Sequence, residues 1–481
     1  MRAMRYDSLN ISYFHFQVAK ELPVEGVGTT GIRNILGRTF TLGGALAWFG
    51  ILLVIIVLGA HYYRAGNTVA AISTAGIIFF HCGRQAWKTW VVGVFLAWGV
   101  LEWATTVQPL IMLRMHMGVP WIRGAAILSA VAAMTALAAS AILAKAMRER
   151  RENPALPVFT QTAAFLLAFL ALYALRAARP ESLLLERIFP LWGSAQIFLL
   201  SWYAGVVAGK LNTPRTSRKT RKTVWCIFTI VFFGQLALGL SGSVAALSSG
   251  NPHVPVPAFI LFAPAYRGTF SMMPFLVLAA TLLAGSAWCG MLCYFGAAEA
   301  VAGSGKPIKK APPFLESALR YGRVAVLLSG LAGALILRYL NVPTGIVLSL
   351  VAAFCLVSLI IMLVISRKYT GMVHCTTFCP MGLVVNLLGK LSLWRIRIDK
   401  NRCDGCGACE KICAYRAVDT TRRELGAAGL TCSLCRDCIG VCPHKAIHLK
   451  NALLPEKISG HVFTVTIVVL HVVFLTAARP M

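Results

Sequence analysis

Ten or eleven stretches of roughly twenty apolar residues run through this 481-residue chain, and they leave little choice of fold. In hydrocarbon every backbone N–H and C=O must find a partner within the protein, so such stretches become helices. The expected spans are Thr41–Ala60, Thr68–Cys82, Trp90–Met112, Trp121–Leu143, Val158–Leu175, Ile188–Ala208, Val224–Leu247, Phe270–Leu292, Val324–Leu340, Thr344–Ser366 and Val462–Ala477. The second and the last are the weakest. The fold class that follows is mostly α: a polytopic transmembrane bundle of about 10–11 spans carrying one small α+β module.

A net charge of +29 could suggest a nucleic-acid binder, but the basic residues stand in short segments between apolar runs. One group is Lys145, Arg148, Arg150 and Arg151; another is Lys210, Arg215, Arg218, Lys219, Arg221 and Lys222. Charge crowded after the even-numbered spans is the positive-inside pattern of a bilayer protein, and it argues against a nucleic-acid partner. It sets the N-terminus and the basic segments in the cytoplasm of an inner-membrane protein. Residues 1–38 read as a cytoplasmic extension without a cleavable signal. The proline-rich stretch 248–268 reads as a rigid loop on the opposite side.

The small module announces itself by its cysteines. Cys403, Cys406, Cys409 and Cys413 repeat as Cys432, Cys435, Cys438 and Cys442, both in C-x2-C-x2-C-x3-C spacing. That run ligates [4Fe-4S] clusters, and its fourth cysteine serves the other cluster. One cluster should take Cys403, Cys406, Cys409 and Cys442; the other should take Cys432, Cys435, Cys438 and Cys413. The residues after each fourth cysteine repeat too, Ala417-Val418 matching Ala446-Ile447, as an internal duplication would leave them. Short strands are expected at Arg395–Lys400 and Lys445–Lys450. Ala414 replaces the proline that stands at Pro443, which predicts a looser turn there. Structural zinc and disulfides fit this register and the reduced compartment poorly.

A second cysteine pattern lies at span ends: Cys289 and Cys293 close the eighth, and Cys375 and Cys379 follow the tenth. Both are C-x3-C, and i, i+4 spacing puts two thiols on one helical face. By the charge rule both pairs reach one membrane surface, where four thiolates could share a further iron–sulfur cluster or another soft metal. The plainer reading is four buried small side chains. Glu102, in the third span, is the lone carboxyl deep in an apolar run, fit either to accept a quinol proton or to make a helix-packing hydrogen bond. His61, His81, His461 and His471 lie in or near spans without a haem-like pairing, and Cys82, Cys226 and Cys355 read as packing.

Paired C-x3-C motifs after transmembrane helices, followed by a two-cluster ferredoxin segment, resemble the membrane-bound polyferredoxins. That family includes the quinol dehydrogenase subunit NapH and the C-terminal half of NosR, and related proteins assist cytochrome oxidase assembly. The resemblance covers roughly residues 223–450, with Tyr294 departing from the Pro expected after Cys293. Together with the apolar runs, it divides the chain into the extension 1–38, an N-terminal bundle 39–222, the NapH/NosR-like region 223–393, the ferredoxin-like module 394–450 and a last helix within 458–478. It implies an electron carrier between the quinone pool, or a membrane partner, and another redox protein, as a quinol-dependent oxidoreductase subunit. The alternative is a maturation factor that reduces copper or thiols, with the C-x3-C cysteines as its working site.

Overall fold

In the computed structural model the described residues are 42–83, 85–152, 156–189, 192–241, 256–269, 272–303, 308–309 and 312–477. The expected extension over 1–38 and the first part of the proline-rich loop lie outside them. Contacts divide the chain after Leu53. Of the first unit the structure describes only the start of helix α1 (Leu42–Arg64), and everything below concerns the second, from Val54 onward.

The protein is a helical membrane protein of many passes. Eight helices of the described residues are long and apolar enough to cross a bilayer: Ala45–Arg64, Ala86–His116, Ile122–Glu149, Pro157–Ala178, Thr216–Leu238, Pro313–Tyr339, Thr344–Tyr369 and Glu456–Thr476. The expected second span is the 14-residue α2 (Thr68–His81), only ~21 Å long at 1.5 Å per residue. It opens on Asn67, whose side chain caps the Ala70 N–H at 3.2 Å. The helices that follow are α3 (Ala86–His116), α4 (Ile122–Glu152), α5 (Leu156–Ala178), α6 (Gly193–Asn212) and α7 (Pro214–Leu240). The basic stretch before the seventh span is therefore no loop: Arg218 and Arg221 belong to the first turns of α7.

The expected eighth span is divided. Helix α9 (Met272–Ala284) stops at Gly285, whose φ of +66° is left-handed backbone that glycine adopts without steric cost. The chain then makes a π-turn over Trp288–Leu292 before α10 (Tyr294–Ala302). Ahead of α9, part of the proline-rich segment forms the short α8 (Phe259–Arg267), anchored by buried Phe262. Two long helices, α11 (Arg323–Tyr339) and α12 (Thr344–Ile360), lead into the short α13 (Val373–Thr377) and α14 (Pro380–Leu388).

The module has one two-stranded antiparallel sheet, β1 (Trp394–Ile398) with β2 (Ile447–Asn451), in the register Ile396↔Leu449. Alternation puts Trp394, Ile396, Ile398, Ile447 and Leu449 on one buried face. That face packs against Ala284 and Ala287 and against Phe463 and Ile467 of the last helix, α18 (Glu456–Ala477). Each such aliphatic side chain taken from water contributes about 1.5–3 kcal/mol, so the sheet seats the module on the bundle. The Trp394 indole N–H also donates to the Leu283 carbonyl at 2.8 Å. Between the strands lie α15 (Ala408–Ile412), α16 (Thr420–Leu425) and α17 (Asp437–Val441).

Candidate metal centres

The first cysteine loop and the fourth cysteine of the second run come together. Cys403, Cys406, Cys409 and Cys442 line one small cavity, closed by Arg423, His444 and Asp404. Cys406 is exposed, so this cavity is at the surface of the module. Asp404 accepts the Cys406 N–H at 3.2 Å, which holds its carboxyl below the usual range, and it faces His444 at 2.9 Å.

The complementary set lies deeper. Cys413 is close enough to Cys432, Cys435 and Cys438 for its charge to be felt by all three, and Cys409 reaches Cys438, so the two sets adjoin. Burial pushes the Cys435 thiol up to about 12 and drives Cys432 and Cys413 upward as well. Without a cation these thiols stay protonated at neutral pH. A bound metal that takes them as thiolates must displace their protons.

The duplication reaches the backbone. Gly405 and Gly407 flank Cys406 in left-handed conformation, and Leu434 and Arg436 flank Cys435 in the same way, with φ of 52° and 66°. After each fourth cysteine a left-handed residue, Arg416 or Lys445, turns the chain. The Ala417 N–H then reaches the Cys413 sulfur at 3.2 Å, and the Ala446 N–H reaches the Cys442 sulfur at 3.3 Å. The turn at Ala414 is thus as tight as the one at Pro443. The looseness expected from the missing proline is absent because the same N–H···S bond closes both turns.

Cys289, Cys293, Cys375 and Cys379 line a single cavity with Trp288, Tyr415 and Asn386. Neither pair lies on one continuous helix, as i, i+4 spacing suggested. The first occupies the π-turn and its end, and the second spans α13 to the start of α14, with Cys293 and Cys379 each in extended backbone. The two motifs still close one pocket, because the turns after Gly285 and after α13 fold back on each other.

Three residues around this pocket carry no motif signature. Glu299 is fully buried; its carboxylate accepts the Ser366 hydroxyl at 2.7 Å, the Cys375 N–H at 3.0 Å and the His374 N–H. It thereby fixes the start of α13, and burial raises its pKa. His374 is 2% exposed, neither ring nitrogen has a hydrogen-bond partner among the described residues, and it groups with Glu299 and the Cys375 sulfur within 4.8 Å. Arg323 is buried beside Cys289, Cys379 and Cys375, and its Nη1 has no hydrogen-bond partner among the described residues. An unpaired buried cation costs several kcal/mol, roughly, unless a negative charge faces it. A metal held by thiolates brings that negative charge, so the donor set and its surroundings fit a metal–thiolate centre. The carboxyl in an apolar helix and the arginine before an apolar run were the available sequence signals.

The pocket and the deeper cysteine set are stitched together. Arg221 of α7 pairs with Asp437 at 2.7 Å, donates to the Gly290 carbonyl at 3.1 Å and lies over the Trp225 ring. Gly290 stands between Cys289 and Cys293, and Asp437 between Cys435 and Cys438. A Cβ on Gly290 would come within 2.8 Å of the Ser433 hydroxyl, which is why the first motif carries glycine there. The Ser286 hydroxyl donates to the Cys432 carbonyl at 2.5 Å, and the buried Tyr415 hydroxyl donates to the Cys289 carbonyl at 3.3 Å.

The remaining sequence candidates lie elsewhere. Glu102 of α3 faces His61 of α1 at 3.8 Å, beside Trp103, and no cysteine is among its hydrogen-bond or ionic partners. His461 meets Thr160 at 2.7 Å and Asn212 at 3.1 Å, while His471 meets Tyr203 at 3.2 Å and the Phe228 ring. Both fasten α18 to its neighbours. Tyr294 stacks on Phe232 with centroids 3.9 Å apart.

Comparison with known proteins agrees with the cysteine chemistry. Residues 395–418 match a family described as 4Fe-4S binding domain, and residues 267–312 and 349–399 match a second family of the same description. An uncharacterized protein of Methanocaldococcus jannaschii is 27% identical over 173 residues, 34% of this chain and 64% of that one. A ferredoxin of Pyrobaculum islandicum is 38% identical over 65 residues, 13% of this chain and 59% of that one. The chain thus spans less than two thirds of the length of either relative. No solved structure matches it. The protein carries 4Fe-4S binding domains, ferredoxin-like in sequence, on a bundle of membrane helices.

Proposed function

We propose that this protein carries electrons between the membrane and a redox partner protein through metal centres set in series. The carrying observation is the seam where the Cys289–Cys293 turn is fastened to the Cys432–Cys438 loop by Arg221, Ser286 and Tyr415. The order that follows is the four-cysteine pocket, then the set Cys413, Cys432, Cys435 and Cys438, then the set Cys403, Cys406, Cys409 and Cys442 at the surface. Bound [4Fe-4S] clusters supply one-electron carriers at the two ferredoxin sets, with a further iron–sulfur or other soft-metal centre at the first. The chain's own part is to hold these sites in contact, keep the inner ones dry and leave the outermost open to a partner at Cys406.

The membrane-side partner in this reading is the quinone pool, which makes the chain a quinol-dependent oxidoreductase subunit. Sidedness follows from charge. Arg218 and Arg221 on α7, with Arg367 and Lys368, stand at the helix ends that carry the ferredoxin module. Basic helix ends belong to the cytoplasm, so the module is cytoplasmic and the membrane is the cell (inner) membrane.

The test is anaerobic iron, sulfide and metal analysis with EPR redox titration of the purified protein. About eight irons belong to two cubanes, and metal beyond that number should vanish in Cys289→Ser and in Cys379→Ser while both ferredoxin signals remain. Wild-type protein with iron for the ferredoxin alone and no other metal would defeat the series. A second reading, metal or thiol reduction during maturation of a respiratory enzyme, is favoured by one observation. Glu299, His374 and Cys375 offer a mixed oxygen, nitrogen and sulfur donor group beside the pocket, suited to copper or zinc. Stoichiometric copper at the four cysteines, lost with His374→Ala, would select it.

A further inference from the structure

Between the membrane bundle and the ferredoxin-like module lies a cavity of about 550 Å³, and no cysteine among the described residues lines it. One wall is the start of α7, with Arg218, Arg221 and Lys222; the module supplies Lys411 of α15 and Asp437 of α17. Positions i, i+3 and i+4 share a helical face, so the sequence itself crowds the three α7 cations together. Like charges at that spacing destabilise a helix, and cations in its first turns oppose the macrodipole. The positive-inside rule accounts for basic residues at this membrane surface. It does not account for their convergence on one cavity with a fourth cation from the module.

Asp437 answers only part of that charge. It pairs with Arg221 at 2.7 Å and meets Arg218 at 3.7 Å. Lys222 is half-buried and close enough to Arg218, Arg221 and Asp437 to feel all three charges. Its ammonium forms no hydrogen bond or ion pair with another described residue, and neither does that of Lys411. Four cations around one carboxylate call for an anion. A compact anion that accepts several charged N–H donors at once is a phosphoryl group. The rest of the wall includes Trp225, Met372, Ile412 and Val441, so the ligand has apolar surface as well. At 27 residues α7 is ~40 Å long, enough to cross ~30 Å of hydrocarbon and reach the headgroup layer on each side. Its first turns therefore stand where lipid phosphates lie.

We propose that this cavity binds the phosphoryl group of an amphiphile through Arg218, Lys222 and Lys411. The depth and the apolar wall favour an acidic membrane phospholipid as its source; soluble phosphate is the other source of the same chemistry. A lipid held there touches both α7 and α15, and so ties the module to the membrane surface. Such a site needs no electron to pass through the metal centres and is independent of the carrier reading.

The test titrates full-length, iron-loaded protein in detergent with dioleoylphosphatidylglycerol and with the phosphatidylcholine of the same chains, read by native mass spectrometry. Inorganic phosphate is titrated in parallel by calorimetry. A single phosphatidylglycerol should bind ahead of any other, and ahead of phosphatidylcholine, whose choline cancels the charge. Lys222→Gln combined with Lys411→Gln should weaken that first site about thirtyfold, and either alone about fivefold. Lys219→Gln, at an exposed lysine of α7 outside the cavity wall, should leave it unchanged, with equal iron content in every variant. If inorganic phosphate binds instead, with the same sensitivity to the two lysines, the phosphoryl site holds and its source is soluble. No saturable binding of either anion, equal affinity for the two lipids, or the same loss in Lys219→Gln would each overturn the proposal. So would wild-type affinity in the double variant, since the lysines would then hold no ligand.

Discussion

The two cysteine loops of the ferredoxin-like module share one backbone and use it differently. Around Cys406 the left-handed positions are Gly405 and Gly407, which adopt them freely. Around Cys435 the same positions hold Leu434 and Arg436, where an L side chain costs about 1–2 kcal/mol each. The strained pair is also the docked pair. Leu434 is buried against Gly285, while Arg436 donates to Thr464 at 3.1 Å and covers the Phe463 ring of α18. The outer loop stays exposed and makes no such contact through its glycines. One loop is therefore built to be reached and the other to be held, although their ligand spacing is identical.

The largest effects should come from exchanging ligands between the loops. Cys442→Ser should remove the cluster of the first loop and Cys413→Ser that of the second, each taking about half of the ferredoxin iron with one EPR signal. If each substitution instead removes the cluster of its own loop, the cross-ligation is wrong. Next comes the seam. Arg221→Met leaves the buried Asp437 facing only the half-exposed Arg218 at 3.7 Å and should destabilise the docked module by about 3 kcal/mol, visible as earlier proteolysis and a lower denaturation midpoint. Asp404→Asn, at the exposed carboxyl beside Cys406 in the outer loop, should change neither. Equal effects of the two would erase the contrast between inner and outer loops.

Charge gives a smaller and more local handle. Arg323→Gln removes the buried cation beside Cys289, Cys375 and Cys379 and should disfavour reduction of that centre. The expected change is about tenfold in the reduction equilibrium, some 59 mV downward for one electron, with Arg323→Lys near wild type. An unchanged potential would show that the guanidinium does not face the centre. The smallest effect is alkaline. In iron-free protein the buried Cys435 thiol, pushed up to about 12, favours folding fully below its unfolded value near 8.5. That contribution is lost as pH rises from there toward 12, so the apo module should loosen first at its inner loop, measurable by thiol alkylation of Cys435 ahead of change at Cys406.

Much of this was legible in one dimension. Apolar runs can only become helices in a bilayer, and three thiols in C-x2-C-x2-C can face one cubane whatever surrounds them. Those constraints are local, and residues 403–442 state them completely. The same local rules misjudged the break at Gly285, because a helical run of apolar residues does not announce a left-handed glycine inside it. They also placed Arg221 in a basic segment between spans and gave Glu299, His374 and Tyr415 no role, since each matters through a partner about 70 to 220 residues away or a fold-back of two turns. Spacing therefore sorted the cysteines into the groups that line common cavities. Only tertiary packing decided that four cysteines from two distant motifs share a pocket, and that one of two equally spaced loops packs against the helices while the other stays exposed. The physical reason is that ligand geometry is set within a turn, whereas burial and charge pairing are properties of what the chain brings alongside.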